Sequence, residues 1–206
     1  MGKNSNNAKT TNINNEKFYS KFFQDLESSK KKDDLLHLFT KYNLDRIDRE
    51  KYPLIEYTIK KEEIKKLQDE GKITNECKLN RTLAKDDSLT PLEKLLYSMI
   101  WKNGDLGKES HIISGILGKN EKDGIVFNQI GKYLNNKNEI IIDQHVIRAY
   151  IFFSKNILTK NIYNNNCYKY LDGYKAWIKD NKLFFENRLL IDELLYSLGK
   201  KMKEDN

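Results

Sequence analysis

The sequence predicts an all-α protein, and three observations carry that reading. Among 206 residues there are two prolines and ten glycines, so few positions force the backbone out of a helix. Lys, Glu, Leu and Ile are abundant, a mixture that favours helices over strands and turns. Apolar residues recur at three- and four-residue spacing along most of the chain, which places them on one side of a helix.

Taken in order, residues 1–15 are polar and Asn-rich, and are expected to be a disordered tail. Residues 16–28 carry Phe18, Tyr19, Phe22, Phe23 and Leu26 on one helical face. The charged run Lys30-Lys31-Lys32-Asp33-Asp34 breaks the pattern, and Leu35, Leu36, Leu38 and Phe39 open a second helix. Tyr52-Pro53 interrupts the periodicity, because proline lacks an amide donor and restricts the residue before it. Residues 59–70 read as a charged helix stopped by Gly71. Residues 74–87 are polar and weakly periodic, and are expected to be a linker at a lobe boundary. Thr90, Pro91 and Glu93 then form a helix start: a capping hydroxyl, a proline at the first helical position and a carboxylate three residues after the cap.

That helix runs through Leu95, Leu96, Met99 and Ile100 to Asn103-Gly104. Shorter helices are expected over residues 111–117 and 122–134, with Ile125, Val126, Ile130 and Tyr133 turned inward in the second. Residues 146–153 are strongly apolar and should be a central buried helix. Trp177 lies in a further amphipathic stretch, and residues 189–202 close the chain. The expected organisation is a tail over 1–15, an N-terminal helical region over 16–87 and a second helical region over 88–206.

Composition narrows the class of protein. The formal net charge is +7, which suits a polyanionic partner, although the Asn-, Lys-, Ile- and Tyr-rich composition of an AT-rich coding sequence inflates the lysine count. Cys77 and Cys167 alone make no disulfide framework, zinc site or iron–sulfur site, so a reducing, cytoplasmic setting without metal or cofactor is expected. No apolar run reaches membrane-spanning length.

Three local patterns occur in sequence. In Ile140-Ile141-Ile142-Asp143-Gln144-His145-Val146-Ile147-Arg148, a short apolar run ends at an aspartate and an amphipathic helix follows. Asp143 can cap that helix by accepting amide hydrogen bonds; held at the mouth of a cleft, it can instead act as a base or stabilise positive charge on a deoxyribose. Arg148 can bind phosphate or pair with Asp143, and His145 reads as an orienting or core residue. In Ile116-Leu117-Gly118-Lys119-Asn120-Glu121-Lys122-Asp123-Gly124, residues that tolerate positive φ sit between two helices. The third pattern, Asp192-Glu193-Leu194-Leu195-Tyr196-Ser197-Leu198-Gly199-Lys200, is an apolar helix ending in Gly-Lys. Outside these patterns, Trp101 beside a Gly-containing turn can stack on an extruded base or fill the core. Tyr163, Tyr168, Tyr170 and Tyr174, interleaved with Lys169 and Lys175, can face nucleic acid.

In this order the patterns resemble the helix–hairpin–helix DNA glycosylases, the endonuclease III-like base-excision enzymes. Asp143 to Arg148 matches the family's D-T-H-V-x-R at every position but Gln144. On the hairpin pattern L-P-G-V-G-x-K-T-A, Gly118 matches the first Gly, Asn120 replaces the second, Lys122 matches the Lys and Gly124 replaces the Ala; the hairpin proline is missing. The resemblance covers at most residues 90–200.

The resemblance implies a base-excision activity on damaged or modified DNA, with Asp143 at the reaction centre and Lys122 as the lyase nucleophile. It also implies a DNA-backbone contact through Gly118, Lys119, Asn120 and Lys122, with Trp101 and Arg148 as further nucleic-acid contacts. Two alternatives stand beside it. One is a nucleic-acid-binding module without catalysis. The other is a helical subunit that binds a protein partner, from a mobile-element or defence system.

Overall fold

A computed structural model describes residues 4–85, 88–103 and 107–205; for residues 4–13, Ala84 and 100–103 it describes the backbone only. The described residues form α1 (Asn4–Ser28), α2 (Lys32–Lys41), α3 (Lys61–Asp69), α4 (Pro91–Asn103), α5 (Lys108–Ile116), α6 (Ile125–Asn135), α7 (Gln144–Lys155), α8 (Asn164–Asp180), α9 (Lys182–Glu186) and α10 (Arg188–Glu204). A 3-10 turn spans Arg81–Lys85, and one isolated antiparallel bridge joins Ile73 to Leu79. The protein is all-α, as its composition and periodicity indicate.

The chain divides into two compact units: Met1–Leu54 with Ile142–Asn206, and Ile55–Ile141 between them. The division expected near residue 87 is therefore not the one observed. The first two helices belong with the last four, because their apolar faces share a core with residues more than a hundred positions away.

In unit 1, α1, α2 and α7–α10 bury Tyr19, Phe22, Leu26, Leu35, Ile147, Tyr174, Phe184 and Leu194. Aromatic rings interlock: Tyr19 and Phe23 meet Phe152, while Trp177 meets Phe153 and Phe184. Nothing between Asn4 and Ser28 breaks a helix, so α1 begins at Asn4 where a disordered tail was expected to residue 15. The break before α2 has a definite cause. Asp34 accepts from the amides of Lys30 and Lys31 and closes the helix start, leaving the chain free to turn at Ser29. Glu193, 3% exposed, clamps residues 46–49 onto α10: it accepts from Arg46 Nε at 2.6 Å, the Ile47 amide at 2.9 Å and Arg49 Nη2 at 2.9 Å.

In unit 2, Ile64, Ile73, Cys77, Ile113, Ile116 and Leu134 form the core. The stretch 74–87, expected to be a linker, contributes buried Cys77 to this core, and Asn80 Nδ2 donates to Gly71 O at 2.7 Å. Its residues are locally polar, but the bridge between Ile73 and Leu79 folds the segment back on itself and turns Cys77 and Leu79 toward the core. The start of α4 is the one expected: the Thr90 amide donates to Glu93 Oε2 at 2.8 Å, and the Glu93 amide donates to Thr90 Oγ1 at 3.3 Å.

Candidate functional site

The Asp143 segment lies in unit 1. Ile142 is buried, and Asp143 is extended (φ −136°, ψ 162°), which swings its carboxylate back over the first turn of α7. Its Oδ1 accepts from the His145 amide at 2.6 Å, so Asp143 is the helix cap. The cap uses one oxygen. Asp143 is half-exposed, and among the described residues its Oδ2 makes no hydrogen bond. The apolar run before it, residues 140–142, forms no strand among the described residues.

Arg148 is 1% exposed, and all of its resolved bonds are internal. Nε donates to Thr159 O at 3.0 Å, Nη2 to Lys160 O at 2.9 Å and Nη1 to Gly199 O at 3.0 Å. Nη1 also meets His145 Nδ1 at 2.7 Å. The expected pairing with the Asp143 carboxylate is not formed, and the phosphate-binding alternative is corrected as well: a guanidinium withdrawn from solvent and spent on three carbonyls is a clamp for the α7–α8 connection. A guanidinium has no acceptor, so His145 Nδ1 carries the lone pair and the ring is neutral. Burial pushes the His145 pKa down in agreement with that tautomer. The ring meets Tyr196 edge-on at 5.2 Å.

Two features of α10 were not apparent in the sequence. Gly199 is inside the helix rather than at its end, and it stands where α10 crosses α7. Asp192 accepts a hydrogen bond from Tyr174 Oη through Oδ1, while its Oδ2 is sealed from solvent without a partner among the described residues. Burial pushes the Asp192 carboxyl up to about 7. Of the tyrosines expected to face nucleic acid, Tyr163 and Tyr168 are exposed, but Tyr174 is fully buried in the core.

The hairpin candidates lie in unit 2. Helix α5 ends at Ile116 with Leu117 as its cap, and Gly118 follows in the left-handed region at φ +82°. The Gly118 amide donates to Gly115 O and the Lys119 amide to Ser114 O, both at 2.9 Å, which closes the helix in a Schellman arrangement. These two amides, expected to hold a DNA backbone, are consumed by the helix end. The loop continues to Gly124 at φ +64°, and α6 begins at Ile125. Lys122 is therefore an exposed loop residue ahead of α6 rather than part of a helix. Asn120 accepts from Lys132 Nζ through Oδ1, and Lys119 Nζ donates to Cys77 Sγ at 3.4 Å.

The two helices flanking this loop approach at glycines. A Cβ on Gly115 would fall 2.1 Å from Asn128 O, and one on Gly131 would fall 2.0 Å from Ile112 O. Asn128 ties the loop to this crossing, with Nδ2 donating to Lys119 O at 3.2 Å. The result is a closely crossed helix pair with a tethered connection. Trp101 is on α4, but its side chain lies outside the described residues.

The structure thus groups Gly118, Lys119, Asn120 and Lys122 in unit 2, and Asp143 and Arg148 in unit 1. Among the described residues no His, Cys, Asp or Glu cluster is placed to hold a metal ion, and no helix is long and apolar enough to cross a membrane. Compared with protein-family models, curated proteins and solved structures, the chain matches none.

Proposed function

We propose that this is a DNA-binding protein built on the plan of the helix–hairpin–helix glycosylases, with unit 2 engaging the phosphodiester backbone and Asp143 of unit 1 serving base excision. The observation that carries the binding half is the α5–loop–α6 pair, crossed at Gly115 and Gly131, whose connection exposes Lys119. The excision half rests on Asp143 beginning the segment that matches the family motif, with one oxygen held by the cap and the other left over. A carboxylate fixed in this way can stabilise the oxocarbenium character that develops as an N-glycosidic bond breaks. Its hydrogen bond to the His145 amide sets its orientation without using both oxygens.

The test has two stages. Affinity for a DNA duplex is first measured against salt; absence of a salt-dependent complex overturns the reading as a whole. Wild type, Asp143→Asn and Lys122→Ala are then incubated with a panel of lesion-bearing oligonucleotides. Asparagine also caps helices, so Asp143→Asn should fold and bind like wild type while losing strand cleavage after alkali. If wild type cleaves nothing on that panel, excision is withdrawn and a binding module remains.

A second reading, a subunit that binds a protein partner, is favoured by one feature of unit 2. Helix α4 exposes Leu92, Leu95, Leu96 and Met99, at 57–74% of their surface, along a single face. Persistence of a partner complex in salt that abolishes DNA binding would favour this reading.

A further inference from the structure

We infer that Lys61, at the start of α3, is a DNA-backbone contact of the α5–α6 connection, adding a second exposed cation to Lys119 of that loop. The inference rests on the DNA-binding reading above and deepens it by naming a residue outside the hairpin motif.

Three observations carry it. A Cβ built on Gly118 would lie 3.0 Å from Lys61 Nζ and 3.7 Å from Lys61 Cε, so the ammonium group stands directly over the glycine. Both lysines are exposed, and neither pairs with a carboxylate among the described residues; Lys119 Nζ reaches only the weak acceptor Cys77 Sγ. The Gly118 and Lys119 amides are turned back into α5, so the attraction for an anion at this point falls to side-chain cations.

A simple helix-end role for Lys61 makes a different prediction. The C-terminal carbonyls of α5 would also attract the ammonium, and losing that contact would change stability rather than DNA affinity. The readout is therefore the salt dependence of binding to a duplex of fixed sequence, measured with the full chain from 50 to 200 mM salt. Each phosphate contact contributes about 0.9 to the slope of log K against log salt, so removing one should cut the affinity lost over that range by about 3-fold. Lys61→Gln should show this reduced slope with an unchanged melting temperature, and Lys61→Arg should keep the wild-type slope. Lys65→Gln, one turn along the same helix, should also keep it. An unchanged slope in Lys61→Gln, or an equal reduction in Lys65→Gln, overturns the assignment of Lys61 while leaving DNA binding itself intact. Absence of any salt-dependent binding by wild type removes both.

Discussion

Gly199 of α10 stands against the main chain of His145 in α7: a Cβ on Gly199 would fall 2.0 Å from the His145 carbonyl oxygen. The obstructing atom is backbone, so no side-chain rotation relieves the clash, and the two helices would have to separate. Separation would also strain the bond from Arg148 to Gly199 O. Gly199→Ala should therefore destabilise the fold by about 1–3 kcal/mol, against the roughly 1 kcal/mol that alanine ordinarily gains over glycine within a helix. Gly107→Ala is the control, because among the described residues nothing lies within 4 Å of its Cβ position. Urea unfolding of both variants checks the contrast, and equal midpoints would refute the close crossing.

The neutral His145 ring makes stability fall on the acid side of neutrality. Burial holds its folded-state pKa below the ordinary 6.5. As pH drops through 6.5 the unfolded chain takes up a proton that the folded ring resists, so the unfolded state binds more protons and stability declines. The decline ends once the folded ring is also protonated, which costs the Arg148 hydrogen bond. Asparagine at 145 supplies an acceptor oxygen and does not titrate. Between pH 7.5 and pH 5.5, wild type should therefore lose more stability in urea than His145→Asn, and equal losses would show that this ring is not responsible.

These two relationships show what a sequence reveals and what it withholds. The capping role of Asp143 was legible because it depends on residues two positions apart, and the Thr90–Glu93 helix start was legible for the same reason. The helices were legible from apolar spacing, which encodes which face is buried but not against what. Unit 1 joins α1 and α2 to α7–α10 across an intervening unit of 87 positions, Ile55–Ile141, and no local pattern carries that information. Gly199 read as a helix end because glycine at a crossing and glycine at a terminus are the same letter. Arg148 read as a phosphate ligand or a partner of Asp143 because charge alone does not show that Thr159, Lys160 and Gly199 turn their carbonyls toward it. Lys61 is one lysine among many until the fold places it over Gly118.

Asp192 should act in the opposite sense to His145. Its folded-state carboxyl titrates at about 7, above the ordinary carboxylate value of 3.8, because burial penalises the charge. Between those two values the unfolded chain is ionised while the folded one keeps its proton, so stability falls as pH rises. Asp192→Asn retains an acceptor for the Tyr174 hydroxyl and removes the titration. The variant should match wild type near pH 4 and exceed it at pH 7.5 by on the order of 2–4 kcal/mol. Unfolding midpoints at the two pH values test this, and a variant less stable than wild type at pH 7.5 would mean that the folded carboxylate is ionised and satisfied.

Gln129 of α6 supplies the last test, because its side chain is fully buried while, among the described residues, neither Nε2 nor Oε1 has a hydrogen-bond partner. An amide buried in that state forfeits its hydration and recovers nothing, at a cost of about 1–3 kcal/mol. Methionine occupies a similar volume, is flexible enough to follow the same path and carries no group that needs a strong partner. Gln129→Met should therefore leave stability unchanged or raise it by up to about 2 kcal/mol, whereas Gln129→Glu should lower it, since a carboxyl there either ionises without a partner or takes up a proton. Thermal unfolding of the three proteins at neutral pH orders them. If Gln129→Met proves clearly less stable than wild type, the amide is hydrogen-bonded in solution, and a water held inside unit 2 becomes part of its core.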